Sequence, residues 1–560
     1  QVVTLSKTMI SLLVLALLAA LLSSSHASSL LKEEKDDNSH EELSPPKILV
    51  YNPRFAHSHS NFMGNVADAL AEAGHNVTSL VEVLYPGFSD CTSKSRLILV
   101  PGHAPSVEMY GEWMNGESGM AKIWLGSSED QGGLLKQMPV LRDSFAGQCN
   151  FTLHQHGLIE RLRSEHFDVV IAENFNFCGI GISHLISPRS LIIASTTNLF
   201  DYQAYQLGAP LAASHVPGSF AVKMEEMTMW QRLKNLYFIY CHCLFFGGME
   251  SGAQKVFSTL YGATFPQLGD ITANASFVLT NTDPLADFSR PTLRNIIDIG
   301  GLGVKAQKPL AQEWLEILDL RPRTVIVSFG TVSRSYLMPE EYKAALLLAI
   351  RRFPMVTFIW KYERANDSLP VKADNVILVP WMPQNDLLYD SRVVALISHA
   401  GKGSVGEAAV HGVPALFIPL FADQPRNAAT AAHLGVGRII DKLKLGDEET
   451  LAAEIKELLE SESLRKNARA LKRTLAGRPF QARDLLVQTV AFASRFGPQK
   501  ALDCSGRRLS FLAFHNLDIA LVGVALFLAL LFFLSFLFLA ATRFMRIQLQ
   551  QSSNIKIKDN

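Results

Sequence analysis

Short, nearly continuous apolar runs recur along this chain, each ending in a polar or glycine-rich turn that leads into a stretch of helical period. The first series comprises Lys47 to Asn52, a helix near Asn61 to Ala73, and then Asn76 to Val81, Asp168 to Ala172, Leu191 to Ser195 and Phe277 to Thr280. A second series follows Arg321: Thr324 to Phe329, Val356 to Lys361, Val376 to Val379, Val393 to Ser398, Ala415 to Pro419 and Arg438 to Asp441. Unbroken apolar runs, as opposed to alternating ones, predict strands covered on both faces, which is the signature of parallel sheets with helical crossovers. The expectation is therefore an α/β protein with two doubly wound, Rossmann-like domains facing a cleft, and ligands beyond the carboxyl ends of the strands. The glycine- and proline-rich segment from Gly300 to Pro309 interrupts the pattern. It divides the chain into a first domain at 46–300, a linker at 301–322 and a second domain at 323–500.

The two ends read differently. Met9, the apolar run Leu12 to Leu22 and the small residues Ser25-His26-Ala27 predict a secretory signal peptide at 9–27, with Met9 as its start and Lys7 just upstream. A charged linker at 28–45 follows, carrying the solvated run Lys32 to Glu42. After a juxtamembrane stretch at 501–518, Ile519 to Ala541 has no charged residue and is long enough to span a bilayer, predicting a transmembrane helix at 519–541. The tail, 542–560, carries Arg543, Arg546, Lys556 and Lys558 against Asp559, so the positive-inside bias predicts a single-pass type I protein with a luminal body and a cytosolic tail. Lys556-Ile-Lys558-Asp-Asn560 resembles a dilysine retrieval signal, which implies the endoplasmic reticulum membrane. Sequons at Asn76, Asn150, Asn274 and Asn366 suit a luminal glycoprotein, although Asn76 opens an expected strand and is a poor glycan site.

Composition narrows the partners. A chain of 560 residues exceeds one core, and 52 basic against 52 acidic residues gives no reason to expect nucleic acid. The six cysteines have no zinc-like spacing, so no metal is expected, and disulfide pairing is open. Homo-oligomer formation is open as well.

The candidate chemistry concentrates in residues 381–424. The apolar run ending at Ser398 feeds the turn Gly401-Lys-Gly403-Ser404-Val-Gly406, which opens a helix of about two and a half turns closed by Gly412. A strand leading through glycines into a helix N-terminus is an anion site, because free N–H groups and the helix dipole face the loop. Gly401, Gly403 and Gly406, with Asp423 some twenty residues on, also fit the dinucleotide fingerprint, so an NAD- or FAD-dependent oxidoreductase is one reading. The surrounding side chains favour another. Trp381, Gln384, His399, Ser404, Glu407, Asp423 and Gln424 supply an aromatic face, a carboxylate for a diol and paired donors and acceptors for hydroxyls.

This whole stretch resembles the nucleotide-sugar signature of the UDP-glycosyltransferases, in particular the animal UDP-glucuronosyltransferases, and is compatible with a nematode-like invertebrate member. The resemblance implies a GT-B arrangement in which Trp381 stacks on uracil, Gln384 and Glu407 bond the ribose, His399, Gly401 and Ser404 meet the diphosphate, and Asp423 and Gln424 hold the sugar. Ser328-Phe-Gly330-Thr331 resembles the family's phosphate-side loop, which adds Thr331 to the donor set. Gly403 departs from the family, which commonly has asparagine there; glycine permits closer backbone approach.

The same resemblance assigns the base to the first domain. His59, in His59-Ser60-Asn61-Phe62-Met63, matches the family's spacing, and His57 falls out of register. A neutral imidazole can take a proton from a hydroxyl if a carboxylate holds its other nitrogen. The family places an aspartate for this at a strand end shortly before Cys-Gly; here Cys178-Gly179 follows Glu173, and Asp168 lies at the other end of that strand. The implied reaction is inverting transfer of glucuronic acid or glucose from a UDP-sugar, acting as co-substrate, to a small lipophilic acceptor, with neither metal nor resident cofactor. The aromatic-rich segments 82–130 and 210–246 are the expected acceptor pocket and a candidate membrane-facing surface. The departures at Gly403 and Glu173 leave a catalytically silent UDP-sugar-binding protein as the alternative.

Overall fold

The computed structural model describes residues 45–558 except 89–91, 117–118, 222–225, 305–306 and 365, so the expected signal peptide and the linker up to residue 44 lie outside the described residues. Among the described residues the first sheet contains β1 Lys47–Arg54, β2 Asn76–Val83, β3 Arg96–Val100, β4 Val169–Glu173, β5 Ser190–Ser195, β6 Phe277–Thr280 and β7 Ile296–Asp298. Its order is β3-β2-β1-β4-β5-β6-β7. The second sheet is built from β8 Arg323–Ser328, β9 Val356–Lys361, β10 Val376–Val379, β11 Val393–Ser398, β12 Ala415–Phe417 and β13 Gly437–Ile439, in the order β10-β9-β8-β11-β12-β13. Every pairing is parallel. Each sheet reverses its order once near the middle, between β1 and β4 and between β8 and β11, and ligands of doubly wound sheets bind at such reversals.

The helices that bear on the site, the core and the candidate membrane segment are α1 His57–Glu72, α2 Gln131–Leu153, α3 Cys178–Ile186, α4 Met229–Tyr261, α5 Lys402–His411, α6 Gln424–His433, α7 Ala482–Phe496 and α8 Leu517–Lys558. α1 begins four residues earlier than its apolar period suggests. No side chain caps it; the Ser60 N–H bonds the Ala56 carbonyl and closes the first turn. α7 returns to the first domain. Its Leu486, Val490 and Ala493 pack in one core with Ile48, Val50, Val169, Ile171 and Ile192, so the helix belongs to the first domain's core and not to the second domain expected at 323–500.

A disulfide joins Cys149 in α2 to Cys178, the first residue of α3, with the Cα atoms 5.6 Å apart. Between the two sheets' domains, Lys442, which also donates to the Leu420 carbonyl of its own domain, donates to the carbonyl of Ile123, and Trp124 meets Phe329 edge-on at 5.1 Å. α8 continues past residue 541. Its stretch Leu517–Leu549, which contains an 18-residue window of mean hydropathy 2.9 with no buried share, is long and apolar enough to cross a membrane.

Candidate active site

The turn from β1 into α1 is held by buried polar groups. Asn52 Nδ2 donates to the Ser60 carbonyl at 3.1 Å, and Ser60 Oγ donates to the Pro53 carbonyl at 3.3 Å. This fixes His59 in the first turn of α1. Its Nδ1 lies 2.9 Å from Oε1 of Glu173, the last residue of β4, and 3.0 Å from Thr196 Oγ1, just beyond β5. The second Glu173 oxygen accepts from the backbone N–H groups of Phe175 and Asn176, at 2.8 and 3.1 Å. The carboxylate is fully buried and the histidine 14 % exposed. With Nδ1 engaged, Nε2 is the nitrogen left for an incoming hydroxyl. Asp168 lies at the opposite end of β4, accepting from the Lys47 N–H at 2.9 Å, and His57 packs edge-on against Trp381 at 5.3 Å.

The second domain offers two loops at its own reversal. After β8, Gly330 takes a left-handed conformation (φ +81°) beside Thr331, and after β11 the chain runs through His399 and Gly401 into α5. A Cβ on either Gly330 or Gly401 would sit 2.6 Å from the His399 ring, so both glycines are demanded by that imidazole. By contrast, a Cβ on Gly403 or Gly406 would meet open space. In a dinucleotide fingerprint the third glycine lets helix and strand pack closely, and the motif follows the first strand of its sheet. Here Gly406 has no such contact and the glycines follow the fourth strand of theirs.

Burial lowers the His399 ring to about 4, reinforced by Lys361 and opposed by a hydrogen bond to the Ser328 backbone, so the ring is neutral at physiological pH although part of its surface stays exposed. Gln384 Nε2 donates to Glu407 Oε2 at 2.6 Å and to Ser404 Oγ at 3.1 Å, joining three of the expected donor residues. Burial raises the Glu407 carboxyl to about 7, against the Gln384 hydrogen bond. Trp381 is 55 % exposed just beyond β10, with Lys361 Nζ 5.7 Å from its ring centre. Asp423 and Gln424 open α6. The side-chain oxygen of Gln424 accepts from the Leu420 and Phe421 N–H groups, leaving only its amide nitrogen for a ligand.

Two side chains outside the sequence-based set complete the arrangement. Asn427 donates to the Ala400 carbonyl at 3.1 Å and to Asp423 Oδ2 at 2.8 Å, tying the two donor loops together. Ala400 and Ala422, at φ +66° and +55°, hold left-handed conformations unusual for a residue with a side chain, and they flank those same loops. Thr196 is the other addition, bound to the base. Neither position carries a sequence signal, because each acts through a contact made only in the folded chain.

The profile of the family described as "UDP-glucoronosyl and UDP-glucosyl transferase" matches residues 46–552. The chain belongs to this family. It is 30 % identical over 492 residues to ugt-47 of Caenorhabditis briggsae, which carries a UDP-glucuronosyltransferase name, covering 85 % of this chain and 89 % of that one. It is also 30 % identical over 393 residues to UDP-glucuronosyltransferase 1A3 of Homo sapiens, covering 69 % and 71 %. The solved structure of LpCGTa in complex with UDP superposes with TM-score 0.52 at 18 % identity, over 80 % of this chain and 99 % of the other. The glycotransferase of kitacinnamycin gives the same TM-score at 15 % identity. These structures show the GT-B fold. This UDP-glycosyltransferase thus carries out UDP-sugar glycosyl transfer, and the dinucleotide reading is set aside by family and glycine geometry together.

The first domain also carries a continuous aromatic cluster leading from the base. His59 contacts Phe55 and Phe175 at 4.6 and 5.2 Å, and Phe175 contacts Phe246 of α4 at 5.2 Å. Phe246 in turn meets His242 at 4.7 Å. His242 is fully buried, with neither ring nitrogen hydrogen-bonded.

Proposed function

We propose that this enzyme transfers glucuronic acid or glucose, with inversion, to a hydroxyl of a small lipophilic acceptor, conjugating metabolites or foreign compounds. The observation that carries this reading is the 2.9 Å contact between His59 and Glu173 at the reversal point of the first sheet. The acceptor hydroxyl gives its proton to His59 Nε2 as its oxygen bonds the anomeric carbon, and the bond from that carbon to the UDP oxygen breaks on the opposite face. Glu173 holds the imidazole in the accepting tautomer and offsets the imidazolium that forms. Charge on the departing UDP falls to the N–H groups at the start of α5 and the loop after β8. Trp381 serves the uracil, Gln384 and Glu407 the ribose, His399, Gly401, Gly403, Ser404 and Thr331 the diphosphate, and Asp423 and Gln424 the sugar. The aromatic cluster around Phe55, Phe175 and Phe246 supplies an apolar floor for the acceptor.

We place the body in the lumen of the endoplasmic reticulum, anchored by α8. The Cys149–Cys178 disulfide suits an oxidising compartment, and exposed sequon asparagines at 150, 274 and 366 suit glycosylation. Asn76, the first residue of β2, is also exposed.

The test is conversion in microsomes expressing the full chain, offered UDP-glucuronate and UDP-glucose in turn with a mixed phenol panel. A conjugate with the mass of acceptor plus sugar, found at the luminal side, supports this reading. UDP binding without any conjugate across a broad acceptor panel would instead support the silent UDP-sugar-binding alternative suggested by Gly403 and Glu173.

A further inference from the structure

Close to Glu173 lies a second carboxyl group that the transfer chemistry does not use. Tyr51 of β1 stands opposite Leu80 of β2, and Glu82, two residues on, shares that face of the sheet. Both side chains are buried. The Tyr51 hydroxyl donates to Glu82 Oε2, and Asn176 Nδ2 approaches the same oxygen at 3.5 Å. Burial raises the Glu82 carboxyl above the usual carboxylate range, against hydrogen bonds from Thr152, Tyr51 and Asn176, which favours its neutral form.

This pair bears on the short segment that carries Glu173, and it does so from two directions. Asn176 sends its backbone N–H to Glu173 Oε2 at 3.1 Å, while its side chain turns back to Glu82 and accepts from the Cys178 N–H at 2.9 Å. The Tyr51 ring packs on Gly179, where an added Cβ would overlap the ring carbons, so the first turn of α3 rests on the phenol. Tyr51 is also the register partner of Ala172, the residue before Glu173. Burying a hydroxyl and a carboxyl here has a desolvation cost that two apolar side chains of the same shape would not incur. What the polar pair adds is direction, since a hydrogen bond fixes the orientation of its partners and apolar packing does not.

We propose that Tyr51 and Glu82 are positioning residues of the transfer reaction, fixing through Asn176 and Gly179 the carboxylate that orients His59. The inference rests on the reading of His59 as the base and Glu173 as its partner. The Tyr51–Glu82 bond sets the phenol along its long axis, the phenol sets the start of α3, and Asn176 carries the same constraint to the N–H that holds Glu173. Without it the segment keeps its disulfide and its apolar packing, but Glu173 Oε1 is free to drift from His59 Nδ1, and small misplacements of this kind reduce rate steeply.

The test is a double-mutant cycle in the full-length enzyme, reading kcat with UDP-glucuronate and UDP-glucose on a phenol panel and, separately, UDP affinity. Tyr51→Phe should lower kcat roughly 10- to 100-fold, the cost of a misplacement near 1 Å, with UDP affinity unchanged. In a Glu173→Gln background the same substitution should cost little further, because the group it positions is already disabled. Glu82→Gln, which still offers the phenol a neutral acceptor, should retain most of the turnover. Asn176→Ala keeps the backbone N–H but releases Glu82, and provides a second entry to the cycle if Tyr51→Phe does not fold; it too should lower kcat only where Glu173 is intact. Wild-type kcat in Tyr51→Phe, or an equal fold-loss in both backgrounds, overturns the proposal; the latter would assign the pair to general stability. A loss in Glu82→Gln as large as in Tyr51→Phe overturns it as well. Wild-type turnover in Glu173→Gln, or a wild type that turns over no donor, fails the reading of the base itself and takes this inference with it.

Discussion

His59 and Glu173 stand 114 positions apart in the chain and meet at 2.9 Å between Nδ1 and Oε1. The contact follows from topology: β1 and β4 are neighbours in the sheet, His59 lies just beyond the end of the first, and Glu173 ends the second. Backbone N–H groups of Phe175 and Asn176 anchor the other carboxylate oxygen, so the pair is oriented before any acceptor arrives.

Glu173→Gln leaves the shape of this pair but can place an amide N–H against Nδ1, favouring the wrong tautomer. Turnover should fall by roughly two to four orders of magnitude with donor affinity nearly unchanged. Glu173→Asp retains the charge but shortens the arm by one methylene, and should retain more activity than the amide. Steady-state kinetics on the three proteins checks this; equal activity in all of them would show that the carboxylate does not orient the base.

Glu407 gives donor binding a pH dependence. Burial holds its carboxyl near 7, well above an exposed glutamate, so it ionises across the neutral range. The ionised form is the better acceptor for ribose hydroxyls, so UDP affinity should rise as pH passes upward through about 7. In Glu407→Gln that inflection should vanish and affinity should be lower at pH 8. Titration calorimetry between pH 6 and 8 decides the matter, and an unchanged inflection in the variant would assign it to another group.

His242 ties stability to acidity. Enclosed by Phe200, Phe220 and Phe246, it has its ring lowered to about 4 by burial, against an opposing pull from Asp201. In the unfolded chain imidazole titrates near 6.5, so the unfolded state gains the proton first as pH falls. The fold should lose stability between about pH 6.5 and 4, by at most roughly 3 kcal/mol from this residue. His399 adds a loss in the same window. His242→Phe should raise Tm at pH 7 by removing unbonded nitrogens, and should shrink the drop in Tm from pH 7 to pH 5. Thermal unfolding at the two pH values checks both effects.

Much of the fold was legible because strands buried on both faces appear as unbroken apolar runs, and Val356–Lys361, Val376–Val379 and Val393–Ser398 occupy their expected positions. β3 and β7 were not anticipated. β3 is a short edge strand with Leu97 and Leu99 exposed, and β7 has three residues, too few to show a period. The donor loops were readable because Trp381 to Gln424 lie in one stretch of sequence. The Cys149–Cys178 pairing, the return of α7 and the Tyr51–Glu82 contact were not, since each depends on where distant segments meet. Asn427 and Thr196 escaped for the same reason.

The most direct test of the mechanism compares acceptor-dependent UDP release with UDP binding in the wild type and His59→Ala. The account predicts that the variant binds UDP as the wild type does, while release falls to the acceptor-independent background. Sustained acceptor-dependent release from His59→Ala, with intact binding, would contradict the assignment of His59 as the base.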